Sequence, residues 1–155
     1  MILNIRRMKD TDIDEVYAIE SSVHIAPWSK EILRDCVLVG YDCRVIEVNN
    51  ENTWTLGGYI ISRHSDNNYH ILNLCIAKPL QAKGLGRTLL QSFIHSLNND
   101  PQTEYVILEV RPSNGIALHL YQTMGFEQVE IKKEYYKDTN SVEDAILLRK
   151  ILKPQ

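Results

Sequence analysis

The chain has 155 residues, 44% of them hydrophobic, and a formal net charge of −3. That suits one domain spanning residues 1–155 with a core of its own, and it offers no basic surface of the kind nucleic acid requires. Its cysteines, Cys36, Cys43 and Cys75, form no C-x-x-C pair and fall in segments that read as helix or strand, which points to a reducing cytoplasm. The first residues lack the apolar core of a signal peptide, and no stretch approaches the roughly 18 apolar residues of a membrane span, so a soluble protein is expected.

In chain order, residues 2–8 read as a strand, and Asp10 is placed to cap a helix whose Ile13, Val16, Tyr17 and Ile19 share a face, ending near Ser22. After the loop at 24–28, Ser29 can cap a second helix carrying Ile32, Leu33 and Cys36, with Gly40 as its stop. Residues 42–48, 54–62 and 69–77 are β-branched or aromatic runs, the pattern of an antiparallel meander. The polar stretches 49–53 and 138–141 read as loops. From Gly84 onward, Leu85, Leu89, Phe93 and Leu97 recur every four residues and form one apolar helical stripe. Residues 105–111 give a fifth strand, Asn114 opens a helix through Met124, and 126–133 with 143–151 close the chain as a strand pair.

Between the third of the meander strands and its helix lies Gln81-Ala82-Lys83-Gly84-Leu85-Gly86-Arg87. Without β-carbons at Gly84 and Gly86 the backbone can curl until several N–H groups point at one place, and the helix adds its first-turn donors. Lys83 and Arg87 add positive charge suited to a pyrophosphate. The spacing lacks both the Gly-Lys-Ser/Thr end of a P-loop and the third glycine of the dinucleotide fingerprint, which leaves a plain capping turn or another pyrophosphate cradle.

On the fifth strand, Tyr105, Ile107, Glu109 and Arg111 share one face, and Val106, Leu108 and Val110 the other. A carboxylate in such a run is either paired with a cation such as Arg111 or raised in pKa towards that of a useful base. Tyr121 reads as core packing or as a phenolic proton donor. Cys75, in an apolar strand, reads as inert core and not as a nucleophile. Trp28 can pin its loop, and Tyr135 and Tyr136 can be hairpin aromatics. The histidines His24, His64, His70, His95 and His119 show no ligand spacing, so no metal is expected.

Gln81-Ala82-Lys83-Gly84-Leu85-Gly86 resembles the Gln/Arg-x-x-Gly-x-Gly/Ala signature of the GCN5-related N-acetyltransferases. Leu108-Glu109-Val110-Arg111-Pro112-Ser113-Asn114 and Ala117-Leu118-His119-Leu120-Tyr121, continuing to Gly125-Phe126, resemble segments of the branch that acetylates protein amino termini. So do Ala26-Pro27-Trp28-Ser29, Glu134-Tyr135-Tyr136 and Glu143-Asp144-Ala145. The resemblance spans nearly the whole chain and implies an α/β (α+β) fold with a mixed, largely antiparallel seven-stranded sheet, about four helices, and a splay between strands four and five.

It also implies acetyl-CoA as co-substrate. Leu74, Cys75 and Ile76 would line it and support the oxyanion through backbone N–H, the turn Ala82, Lys83, Gly84, Leu85, Gly86 and Arg87 would hold the pyrophosphate, and Asn114 would cap its helix or bond the pantetheine arm. Glu109 is implied as general base, directly or through water, Tyr121 as general acid, and Trp28, Tyr135 and Tyr136 as flanks of the acceptor groove. The implied acceptor is the N-terminal alanine of protein eighteen of the small ribosomal subunit, with no direct nucleic-acid or membrane contact. An enzyme of the same fold acting on lysine or a small amine is one alternative. A non-catalytic acetyl-CoA sensor, which would need neither Glu109 nor Tyr121, is another. The chain departs from the family pattern where Ile76-Ala77-Lys78-Pro79-Leu80 shifts the proline, where Ala26 replaces a larger apolar residue, and where Pro112 and Gly115 interrupt the match.

Overall fold

The computed structural model describes residues 1–137 and 141–152, so the loop expected at 138–141 lies, apart from Ser141, outside the described residues. Its elements are β1 (Ile2–Arg7), α1 (Ile13–Val23), α2 (Lys30–Leu38), β2 (Asp42–Asn50), β3 (Thr53–His64), β4 (Asn68–Ile76), α3 (Leu85–Leu97), β5 (Tyr105–Val110), α4 (Gly115–Thr123), β6 (Glu127–Lys137) and β7 (Val142–Ile151). The strand order is β1-β2-β3-β4-β5-β7-β6. The chain packs as two compact units, Met1–Arg63 with Asn73–Ser96, and His64–Leu72 with Leu97–Gln155, and β4 contributes residues to both.

In the first unit β1 pairs antiparallel with β2, and β2 with β3. Ile13 and Val16 of α1 and Leu33 of α2 bury their apolar stripes against Val45, Tyr59 and Ile61 of this meander. Ser29 caps α2 as its sequence predicts, its Oγ accepting the Ile32 N–H at 3.2 Å. The expected cap at Asp10 is corrected. A 3₁₀ turn, Asp10–Asp12, precedes α1, and Asp12 stands at the N-cap position of α1 without a side-chain bond to it, its carboxylate instead accepting the Lys9 N–H at 2.7 Å at the head of the 3₁₀ turn. Asp12 is the buried one of the pair, and the guanidinium of Arg6 makes its charge tolerable there through two bonds of 2.8 Å, whereas Asp10 faces solvent and Arg34. Gly58 on β3 has no alternative: a Cβ there would stand 2.5 Å from the carbonyl oxygen of Cys75. On α3, Leu85, Leu89, Phe93 and Leu97 are all buried.

In the second unit β4 and β5 are parallel, and among the described residues their ladder covers Asn68↔Tyr105 to Ile71↔Leu108. The pairing therefore gives out before the segment Leu74 to Ile76 that is expected to present its amides to a ligand. β7 pairs antiparallel with both β5 and β6. Along β5, Val106, Leu108 and Val110 are buried while Tyr105, Ile107 and Glu109 are half-buried, the alternation read from sequence. β6 runs on past Lys133, where its strand was expected to end, through an irregularity between Lys132 and Tyr136 with Glu134 at φ 53°. The Asp144 carboxylate stabilises this bulge by accepting the Glu134 N–H at 2.9 Å and pairing with Lys133 at 3.2 Å.

Candidate active site

In the glycine turn of the first unit Gly84 takes the left-handed backbone expected of it, at φ 81°, but the other left-handed residue is Ala82, at φ 63°, whereas Gly86 lies inside α3; residues 81–84 are exposed. A Cβ on Gly84 would meet nothing within 4 Å, so the glycine is there for its left-handed twist and not for space. Gln81 Nε2 donates to the carbonyl oxygen of Ile76 at 2.9 Å, tying the turn to the end of β4. The Gly84 carbonyl oxygen accepts from the Thr88 N–H and the Thr88 hydroxyl, both at 3.0 Å, which starts α3. The N–H groups of Leu85, Gly86 and Arg87 then fall in the first helical turn, where no intrahelical acceptor exists. These donors, beside the charges of Lys83 and Arg87, are of the kind a helix N-terminus offers to an anion.

On β4, Leu74 and Ile76 share one face and are half-buried, whereas Cys75 points into the core of the first unit. Burial pushes the Cys75 thiol up to about 11, so it stays protonated in the neutral range. Trp28 packs partly buried against the same core, and its N–H donates to Glu20 Oε2 at 3.0 Å. Glu20 is 2% exposed. Its Oε1 accepts from the Tyr59 hydroxyl at 2.5 Å and from Asn73 Nδ2 at 2.7 Å. Sequence reasoning passed over Glu20, although a carboxylate in line with Val16, Ile19 and Val23 on a buried helical stripe was a usable signal.

In the second unit the Glu109 side chain is 7% exposed. His70 Nε2–H donates to its Oε2 at 2.6 Å, and Lys132 Nζ stands 3.4 Å from its Oε1. Arg111, the counterion suggested by proximity in sequence, instead bonds Glu143 at 3.3 Å. Burial pushes the Glu109 carboxyl up, but the bond and charge of His70, with Lys132 behind them, outweigh it and hold the group below the usual carboxylate range. Of the two readings the paired carboxylate holds and the upward shift does not, with His70 from β4 and Lys132 from β6 as partners in place of Arg111.

Of the other predicted residues of this unit, Tyr136 lies within range of the Glu109 charge, and Tyr121 and Tyr135 neighbour Tyr136. Arg111 lies 4.1 Å over the ring of Tyr136, whose phenol is pushed up to about 12 by burial and by the charge of Glu109. Tyr121 is buried, edge-on to Phe126 with centroids 5.5 Å apart, and burial followed by Tyr136 pushes its phenol up, so it keeps its proton throughout the neutral range. The half-exposed Tyr135 meets Tyr136 edge-on at 5.0 Å. Glu143 accepts the Ser113 N–H at 2.8 Å and the Ser113 hydroxyl at 2.9 Å. Asn114 acts as a helix cap, its Oδ1 accepting the Ala117 N–H at 3.2 Å. His70 was read from sequence as one of several scattered histidines, and nothing local marks it, since its partner lies 39 residues away. Among the described residues no cluster of three or more His, Cys, Asp or Glu could hold a metal ion.

The mixed seven-stranded sheet carries the glycine turn at the head of α3 in its first unit and the held carboxylate of Glu109 in its second. The family model of the acetyltransferase (GNAT) domain matches residues 41–140, and the chain belongs to that family as an N-acetyltransferase. It is 28% identical over 144 residues to the ribosomal protein bS18-alanine N-acetyltransferase of Escherichia coli, covering 93% of this chain and 94% of that one. The crystal structure of the E. coli ribosomal-protein-S18-alanine N-acetyltransferase matches with a TM-score of 0.88 at 27% identity, over 99% of this chain and 96% of that one. A putative enzyme of the same name from Bacillus subtilis is 31% identical over 144 residues, 93% of this chain and 92% of its own. The fold alone is shared with Arabidopsis thaliana NAA60 in complex with acetyl-CoA, at a TM-score of 0.86 and 16% identity over 97% and 98% of the two chains.

Proposed function

We propose that the chain acts over 1–155 as one cytoplasmic domain that transfers acetyl from acetyl-CoA to the α-amine of a protein, the N-terminal alanine of ribosomal protein S18 being the leading acceptor. The observation that carries the reading is the Glu109 carboxylate, which takes a 2.6 Å bond from His70 and is held below the usual carboxylate range, with the Tyr136 phenol close enough to feel its charge. The turn from Ala82 to Arg87 takes the pyrophosphate, and the backbone of Leu74, Cys75 and Ile76 lines the pantetheine and acetyl group. Trp28, Tyr135 and Tyr136 flank the acceptor peptide. Asn114 serves as cap to α4 and leaves its Nδ2 for the pantetheine arm.

The amine nitrogen attacks the thioester carbonyl, and a β4 N–H stabilises the resulting oxyanion. Glu109 removes the proton from the nitrogen, directly or through water, as the carbon–sulfur bond breaks. Tyr121 then supplies a proton to the departing thiolate. An α-amine with a pKa near ~8 is already partly neutral at physiological pH, whereas a lysine near ~10.4 is not, so a carboxylate kept ionised suffices for the former. Retention of both Glu109 and Tyr121 counts against a mere acetyl-CoA sensor.

The test is mass spectrometry after incubation with acetyl-CoA and two peptides, one starting with a free alanine and one with its N terminus blocked but lysines free. Acetylation of the first alone is expected, and Glu109→Gln should slow it by about 10²-fold. Modification of the blocked peptide alone would move the assignment to lysine. No product from either, with acetyl-CoA still bound, would favour the sensor.

A further inference from the structure

We propose that His70 is a positioning residue for Glu109, holding the carboxylate in the one orientation from which it can take the amine proton. The inference rests on Glu109 being the base. In the parallel ladder His70 stands opposite Ile107, so Glu109 is two residues further along the neighbouring strand on the same face. An ionised carboxylate only accepts, so the proton in the 2.6 Å contact belongs to His70 Nε2, and the length is that of a charge-assisted bond. The two side chains are 16% and 7% exposed, which limits competition from water.

A carboxylate offers about four lone-pair directions. His70 occupies one on Oε2 and Lys132 approaches Oε1, and the two come from strands on different sides of β5 in the sheet order. Rotation about the last side-chain bond is thereby blocked, and the remaining directions point where the backbone of β5 sets them. Lys132 cannot do this alone: its contact is 3.4 Å and its side chain 34% exposed. Holding a base in its reactive orientation removes a rotational search from the barrier, which is the contribution assigned to His70. The imidazole itself touches no reacting atom in this scheme.

Steady-state kinetics on the alanine-terminated peptide would compare wild type, His70→Phe, His70→Gln, Glu109→Gln and the pair His70→Phe with Glu109→Gln. His70→Phe keeps a planar ring and loses the donor. It should lower kcat by roughly 10-fold while KM for acetyl-CoA stays within about 2-fold. His70→Gln retains an N–H able to reach the carboxylate and should restore most of the loss. The double variant should be no slower than Glu109→Gln, because His70 acts only through that carboxylate.

Wild-type turnover in His70→Phe, or losses that multiply in the double variant, would overturn the proposal. If Glu109→Gln turns over like wild type, the base assignment fails first. If Glu109→Gln is slow and His70→Phe is not, only the positioning role fails. Should His70→Phe not fold, nitrogen-15 NMR of histidine-labelled wild type decides: an Nε2–H resonance that is lost in Glu109→Gln supports the contact, and a neutral Nδ1–H tautomer overturns it.

Discussion

Glu109 remains charged in an apolar strand because His70 and Lys132 hold it there, and this has a consequence for stability. Its folded pKa lies below its unfolded value, so the ionised form stabilises the fold above the ordinary carboxyl range, and that contribution is lost as pH falls through the folded value. Urea midpoints should therefore show wild type and Glu109→Gln converging as pH drops below the carboxyl range, with wild type the more stable at pH 7. An unchanged gap would mean the carboxylate is not held as described. At Tyr121 the ring packs against Phe126, and Tyr121→Phe keeps that contact while deleting the proton donor. On the proposed mechanism turnover falls by roughly 10²-fold with the melting temperature nearly unchanged, and wild-type turnover would return Tyr121 to the role of a core aromatic.

At the scale of elements, two features set backbone where side chains have to act. Gly58 brings β3 against the end of β4, and Gly58→Ala would drive a methyl into the Cys75 carbonyl, 2.5 Å from the Cβ. A loss of about 2 kcal/mol or more is expected in urea denaturation. The bulge of β6 is held by Asp144 and carries Tyr135 beside Tyr136. Asp144→Ala should raise KM for the peptide while leaving KM for acetyl-CoA alone, as measured with each substrate varied in turn. Equal changes in both would remove the acceptor role of the bulge. The stripes of α1 and α3, the caps at Ser29 and Asn114 and the β5 alternation were legible in advance because each is a pattern within a few neighbouring residues, whereas Ile32, expected on the α2 stripe, is exposed. The extension of β6 was not, because it depends on an aspartate from β7.

For the whole molecule, a ligand that binds only the folded chain stabilises it by mass action, about 2.7 kcal/mol at a hundred times its dissociation constant. Acetyl-CoA should therefore raise the melting temperature. Gly84→Val places a β-branched residue at φ 81° and should cost roughly 1–2 kcal/mol in the free protein through backbone strain. It should also abolish most of the shift caused by acetyl-CoA, and an undiminished shift would remove the cradle from the pyrophosphate. Among the described residues no helix is long and apolar enough to cross a membrane.

Local chemistry in the sequence determined the period of each helix and strand, the curl of the Gly84 turn, and the presence of a carboxylate at 109 and a phenol at 121. These follow from steric and hydrophobic rules that act within one or two turns of chain. Which partner each charged group takes was decided only by tertiary structure. Glu109 bonds His70 across 39 residues and not the nearby Arg111, Arg111 turns to Glu143 across 32, and Glu20 reaches Asn73 across 53. Strand order and register bring these pairs together, and no short window of sequence contains them. The Glu109 carboxyl is held down and not raised for the same reason: burial is written in the strand's own pattern, but the partners that outweigh it arrive from β4 and β6.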